Sequence, residues 1–340
     1  MDDWTIASVD GFFASRESPT REECPECALA IVDESTIEPV ETPGSLSYTV
    51  VCTAARTGTK TIVSFRQYDT FIDPELTDLA GQVHGHLVPH ATFHGTLGTE
   101  TESNDLLKIY TMPCLPGTSG IAVLRGVNPD DTPEDEVMYT RFIQELARAY
   151  LHPQTANAGR EAIAKSDAAR MISVLMDIIK DLPFLAPTLN DLEGNLDMLF
   201  GPSYPQLLTH GDLGLPNILM DETSGTVTGI VDRSLATIAP CGMELGALRA
   251  CLGAYRLGKG WTDFACRDRL ITAFWDESWR ATDIQGMFER QRIRHVAELA
   301  GKLGILVQYL FKRNPNGTPK DGVAKRHAAM VDLWFQSGVF

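Results

Sequence analysis

The sequence predicts an α+β protein whose strands come early and whose helices come late, and three observations predict it. Two runs of alternating apolar and polar residues, Tyr48–Ala54 and Thr61–Tyr68, flank the turn Thr57-Gly58-Thr59 and read as a hairpin. From Glu134 onward, apolar residues such as Val137, Phe142, Ile143 and Leu146 recur near helical spacing. Between these regimes, residues 113–129 are rich in glycine and proline and read as a linker. Segregation of this kind gives two lobes, a small strand-rich one over residues 1–113 and a larger helical one over residues 114–340.

The chain opens with two short amphipathic helices, around Trp4–Phe13 and Thr20–Val32. Thr20 and Glu23 form a capping box after Pro19, and Cys24, Cys27, Ala28 and Ile31 then fall on one helical face. That face makes Cys24-Pro25-Glu26-Cys27 helix core, because a structural zinc would need a second cysteine pair and none follows. Ser35–Leu46, with Pro39, Pro43 and Gly44, reads as a loop before the hairpin, and a helix is expected over Ile72–Val83. His84, His86, His90 and His94 crowd together, but Val88-Pro89 interrupts them and no carboxylate or cysteine joins them. They read as loop histidines rather than metal ligands. Leu106–Met112 is the next apolar strand. Helices follow at Glu134–Tyr150, Ser166–Leu182 and Leu192–Phe200, then at Glu244–Leu257, Trp261–Trp275, Thr282–Phe311 and Ala324–Phe335. Gly301 and Gly304 mark where the longest is expected to break.

Composition narrows the class of partner. A chain of 340 residues with 44% apolar and 22% charged residues is ordinary for a globular protein and can bury a sizeable core. A net charge of −16 argues against nucleic acid and anionic membrane, which select clustered Lys and Arg. No uninterrupted apolar window approaches the length of a membrane span. The start, MDDWTIASVDGFF, lacks the basic region and long apolar run of a signal peptide, and seven irregularly spaced cysteines make no disulfide framework. A cytoplasmic protein with a small-molecule substrate is the expectation.

The chemistry concentrates between Leu207 and Asp232, in LLTHGDLGLPNILMDETSGTVTGIVD. His210, Asp212 and Asn217 form an H-x-D-x-x-x-x-N loop, and Asp232 closes a short strand fifteen residues later. Phosphoryl transfer needs such a set: one carboxylate orients a substrate hydroxyl, while an amide and a second carboxylate hold Mg²⁺ against nucleotide phosphates. Ile218–Met220 and Thr226–Val231 read as strands around the turn Asp221–Gly225. This hairpin is expected to return Asp232 beside Asn217, so that the two oxygen ligands share one metal.

The pattern HGDL, NIL and G-x-x-TGIVD resembles the aminoglycoside phosphotransferase and choline-kinase-like superfamily, and within it a fungal branch. Weaker echoes, Ser47-Tyr48-Thr49-Val50 and Ile62-Val63-Ser64-Phe65-Arg66, extend the likeness toward the N-terminus. The resemblance implies a bilobal protein-kinase-like fold that uses ATP and Mg²⁺ on small molecules. On that likeness Asp212 orients the substrate hydroxyl and accepts its proton, His210 hydrogen-bonds the catalytic loop, and Asn217 and Asp232 hold the metal. The turn Pro43-Gly44-Ser45-Leu46-Ser47 corresponds to the phosphate loop, with Ser45 and Ser47 as its contacts, although it carries a single glycine. Arg66 stands where a lysine usually meets the α/β-phosphates, and Glu75 or Asp78 would be its helix partner. Backbone groups from Tyr110 to Met112 correspond to the hinge that receives adenine.

Two departures matter. The usual aromatic residue after the last aspartate is replaced by Arg233, a cation that either competes for Asp232 or meets an anionic substrate. The nucleotide-holding parts are sparse while the hydroxyl-orienting and metal-binding parts are complete. Three activities therefore remain open: an ATP-dependent O-phosphotransferase of a hydroxylated small molecule, with secondary metabolism as its expected setting, an ATP-independent cyclase or dehydratase on the same scaffold, and a non-catalytic pseudokinase.

Overall fold

A computed structural model describes residues 3–340 apart from 15, 17, 34, 41, 42, 45, 71, 99–105, 151–164, 257, 283, 285, 314–318, 324–326 and 339. The chain divides into two compact units, Met1–Pro116 with Gly229–Ser234, and Gly117–Thr228 with Leu235–Phe340.

The first unit is a sheet backed by two helices. Helices α1 (Asp3–Phe13) and α2 (Glu23–Ile31) precede strands β1 (Ser35–Pro39), β2 (Ser47–Ala54) and β3 (Lys60–Gln67). Helix α3 (Pro74–His84) then leads to β4 (Thr92–Leu97) and β5 (Leu107–Pro113). The strands lie antiparallel in the order β1-β2-β3-β5-β4. Alternation along each strand assigns its two faces. Tyr48, Val50, Cys52, Val63, Phe65, Leu107 and Ile109 form one buried cluster with Val9, Phe12, Cys24 and Ala28 of the helices. The capping box forms as the sequence implies, with Thr20 N–H donating to Glu23 Oε2 at 2.5 Å and Glu23 N–H to Thr20 Oγ1 at 3.4 Å. Burial pushes the Cys24 thiol up to about 12, so this cysteine is a core residue with little thiolate.

The histidine run disperses over several elements. His84 ends α3, His90 lies 3.8 Å from Asp78, and His94 in β4 meets Thr111 at 2.8 Å. One expectation fails here. Ser35–Pro39 is an edge strand rather than loop, because β2 offers its outer edge and a proline is tolerated at a strand end.

The second unit is mainly helical. It runs through β6 (Thr118–Ser119), α4 (Gly120–Val123), α5 (Pro133–Tyr150), α6 (Lys165–Asp177), α7 (Ala186–Leu199), β7 (Gln206–Thr209), β8 (Ile218–Met220) and β9 (Val227–Ile230), the last of which crosses into the first unit. Then come β10 (Thr237–Pro240), α8 (Leu245–Ala250), β11 (Gly253–Arg256), β12 (Gly260–Asp263), α9 (Arg267–Ala281), α10 (Met287–Leu310), β13 (Phe311–Arg313), β14 (Pro319–Val323) and α11 (Ala328–Gln336).

The end of the expected helix Glu244–Leu257 and the start of the expected helix Trp261–Trp275 instead form the β11–β12 hairpin, turning through Gly258 and Gly260, whose φ angles of +76° and +75° suit glycine. Arg249 is wholly buried in α8 and ties this hairpin to α11. It donates to Asp263 at 2.8 Å and to Ser337 at 3.0 Å, and its guanidinium lies against the rings of both Trp261 and Trp334, which touch each other edge to face. Helix α10 continues unbroken through Gly301 and Gly304.

Candidate active site

The catalytic loop is suspended between two strands of the second unit. β7 ends at Thr209, which pairs with Thr237 of β10, and the Thr209 hydroxyl also donates to the Thr237 carbonyl at 2.9 Å. His210 follows directly and is 1% exposed, which marks it as interior scaffold rather than a solvent-facing base. Its Nδ1 accepts the Asp212 N–H at 3.3 Å. Gly211 has φ +79°, and a Cβ there would sit 2.1 Å from the Leu235 carbonyl oxygen, so only glycine passes this point. The Gly211 N–H donates to Glu244 Oε1 at 2.7 Å, just ahead of α8.

Asp212 emerges from this anchored backbone with an exposed side chain. Its Oδ1 accepts a hydrogen bond from Gln308 Nε2 of α10 at 3.5 Å. One helical turn, Leu215–Asn217, then leads into β8. Asn217 Nδ2 donates to the Asp212 carbonyl at 2.9 Å, so the amide nitrogen is committed to the loop and the amide oxygen remains as the donor atom suited to a metal.

The other residues named from the sequence lie in the first unit. Cross-strand register sets Ser47 opposite Arg66, Ser64 opposite Tyr110 and Ile62 opposite Met112. Ser47, Arg66, Tyr110 and Met112 therefore share the sheet face away from α1 and α2. This face is polar, with Ser47, Thr49 and Ser64 linked through hydroxyl contacts of 3.5 and 3.1 Å. The Tyr110 hydroxyl accepts the Ile72 N–H at 3.3 Å, ahead of α3. Ser45 lies outside the described residues.

The partner of Arg66 differs from expectation. Its Nη2 donates to Asp232 Oδ1 at 3.2 Å rather than to Glu75 or Asp78 of α3. The physical reason is that Gly229–Ser234 belongs to the same compact unit as β3, which gives the buried guanidinium a nearer carboxylate. Ser234 Oγ donates to the same Oδ1 at 3.1 Å. Asp232 has φ +58°, a left-handed conformation that aspartate tolerates better than most residues and that recurs at functional sites. Arg233 begins the short helical turn Arg233–Leu235 that follows.

Taken singly, the Asn217 amide oxygen and the Asp232 carboxylate are each of the ligand type that Mg²⁺ prefers. Among the described residues, no three His, Cys, Asp or Glu side chains gather as a metal site of their own.

With the loop defined, comparison with known proteins decides the family. The model of the phosphotransferase enzyme family, APH, matches residues 74–282, more than half of the chain. The chain belongs to this family. Among solved structures, a candidate aminoglycoside phosphotransferase from Ralstonia eutropha is similar at 15% identity and a TM-score of 0.51, over 93% of this chain and 97% of that one. An ethanolamine kinase from Plasmodium vivax is similar at 11% identity and a TM-score of 0.52, over 89% of this chain and 82% of that one. These likenesses show a kinase-like α+β fold. No curated protein matches the sequence.

Three residues beside the candidate site residues escaped the sequence reading: Glu244, Ser234 and Gln308. Gln308 carries a signal in hindsight, as a lone amide within the apolar run Leu303–Phe311. Glu244 acts through a tertiary contact that no local pattern encodes, whereas Ser234 meets Asp232 from two residues away.

Proposed function

We propose that the protein is an ATP- and Mg²⁺-dependent O-phosphotransferase acting on a hydroxylated small molecule. The observation that carries this reading is the Asp212 carboxylate, exposed at the end of a backbone fixed through His210, Gly211 and Asn217. Family membership supports the reaction class. Neighbours named for aminoglycosides and ethanolamine support a small acceptor bearing a hydroxyl. In this reading Asp212 accepts a hydrogen bond from that hydroxyl and takes its proton as the oxygen bonds to the γ-phosphorus. The bond from that phosphorus to the β–γ bridging oxygen breaks, and ADP leaves. Mg²⁺, when bound, neutralises phosphate charge, with Asn217 and Asp232 supplying oxygen ligands.

The nucleotide contacts are assigned to the polar face of the first unit. Arg66 is suited to phosphate by its forked donors, Ser45 and Ser47 belong to the phosphate turn, and backbone groups from Tyr110 to Met112 belong to the adenine hinge. The likeness to a fungal branch suggests a role in secondary metabolism, within the cytoplasm.

The contact of Arg66 with Asp232 favours a second reading. A carboxylate already paired with a buried guanidinium is a poorer metal ligand, and an ATP-independent cyclase or dehydratase would need only the acid–base residues.

Calorimetric titration with Mg·ATP separates the two. Metal-dependent binding that vanishes in Asp232→Asn is expected for the phosphotransferase. Absence of binding at millimolar nucleotide overturns it and moves the search to nucleotide-free substrates.

A further inference from the structure

Gln308 lies on α10 among Leu303, Ile305, Leu306, Val307 and Leu310, all buried. A long amide side chain keeps a defined contact only when its helix is held close to the target, and here glycines hold it close. A Cβ on Gly304 would fall 1.8 Å from the Met243 carbonyl oxygen, and one on Gly242 would fall 2.2 Å from that of Ala297. A Cβ on Gly246 would meet Ile305 at 3.1 Å and Gln308 Oε1 at 3.6 Å. Ala297, Gly301, Gly304 and Gln308 recur at three- and four-residue spacing, so they form one stripe along α10. Residues 242–246 lie against that stripe, backbone to backbone.

The same short segment carries Glu244, whose carboxylate accepts the Gly211 N–H at 2.7 Å. One packing surface thus reaches the catalytic loop twice. Through Glu244 it holds the backbone beside Asp212, and through Gln308 it meets the Asp212 carboxylate itself, at 3.5 Å.

We propose that Gln308 is a positioning residue for Asp212, its amide N–H selecting the carboxylate rotamer that meets the acceptor hydroxyl. The proposal deepens the phosphotransferase reading and rests on it for the role of Asp212. An exposed aspartate samples several χ1 and χ2 wells, and a donor fixed on a buried helix narrows that choice. The donor type matters too. A lysine or arginine here would form an ion pair and weaken Asp212 as a base, whereas an amide orients it and leaves its charge in place.

The test uses full-length protein carrying ¹³C at the aspartate γ-carboxyl, with Asp212→Asn assigning the Asp212 resonance. Gln308→Leu removes the amide, and Gln308→Glu keeps the shape while exchanging the donor for an acceptor. The Asp212 resonance moves in both variants while the Asp232 resonance stays. With Mg·ATP and a panel of hydroxylated acceptors, kcat falls about tenfold while KM for ATP is unchanged. An Asp212 resonance unmoved in both variants overturns the proposal, as does a moved resonance with unchanged kcat. The underlying reading is judged separately. Wild-type turnover in Asp212→Asn sinks Asp212 as the base, while the resonance still decides whether Gln308 touches it.

Discussion

Arg66 donates from Nη2 to Asp232 Oδ1 at 3.2 Å, and the two side chains differ sharply in exposure, at 6% and 40%. The guanidinium rises from β3 on the polar sheet face, while the carboxylate follows β9 in a left-handed conformation with Ser234 sharing its Oδ1. The residue expected to meet phosphate thus meets the residue expected to meet the metal. In the proposed phosphotransferase reading, phosphate and cation would each offer one member of this pair a counter-charge. Without them, Asp232 provides the counter-charge to a cation that β3 holds buried.

The difference in exposure makes the pair asymmetric in energy. Removing Asp232 leaves a buried guanidinium without its carboxylate, whereas removing Arg66 leaves a carboxylate that water already reaches. Asp232→Ala is expected to destabilise the protein by about 3 kcal/mol and Arg66→Met by about 1 kcal/mol. Urea denaturation of both variants checks the order, and equal losses would show that Arg66 is not desolvated as described. Asp232→Asn retains an oxygen acceptor, which suits it to binding experiments where the fold must survive.

Acid stability should hinge on Glu277, which clamps α9 to α5. Arg148 Nε donates to it at 2.7 Å and Arg280 Nη1 at 2.8 Å. Burial opposes its ionisation, but the hydrogen bonds from Arg148 and Arg280 outweigh burial and hold its carboxyl below the ordinary value of 4.5. A carboxyl depressed on folding contributes stability above its unfolded pKa, and that contribution fades as pH falls through the lower folded value. Thermal melts at descending pH should therefore show a steep loss below about pH 4.5. Glu277→Gln should be less stable at neutral pH and lose less between neutrality and acid. Parallel curves for the two proteins would remove Glu277 from the acid transition.

Local pattern made some parts of this molecule legible and left others hidden. Helix α5 was readable because Phe142, Ile143 and Leu146 repeat on one buried face, and the α2 capping box because its two partners are three residues apart. The catalytic loop was readable because its chemistry fixes residue types at fixed spacing. Strand β1 was hidden because Pro39 reads as a breaker, although at a strand end it gives up nothing. The β11–β12 hairpin was hidden under the apolar residues of 261–275, though Gly258 and Gly260 marked its turn. The partner of Arg66 lies 166 positions away in sequence, a separation at which no periodicity operates.

Gly301 and Gly304 are where propensity and packing point in opposite directions, and packing wins. Glycine lowers helix stability by roughly 1 kcal/mol relative to alanine, so alanine at either position would strengthen an isolated α10. In the folded protein, a Cβ at Gly304 would sit 1.8 Å from the Met243 carbonyl oxygen, a backbone atom that moves only with its segment. At Gly301 the nearest atoms belong to the Phe340 ring, at 2.8 Å, and to Leu245 Cβ, at 2.9 Å. The ring can swing aside more cheaply than a carbonyl can. Gly304→Ala is therefore expected to destabilise by about 2 to 3 kcal/mol and Gly301→Ala by about 1 kcal/mol. Because residues 242–246 carry Glu244 to the Gly211 N–H, displacing them also loosens the backbone beside Asp212. Gly304→Ala should then lose turnover at temperatures where it remains folded, on the order of tenfold or more, with Gly301→Ala much closer to wild type. Denaturation and kinetics on the two alanine variants test this, and a Gly304→Ala protein as stable as Gly301→Ala would show that α10 does not approach the Met243 backbone so closely.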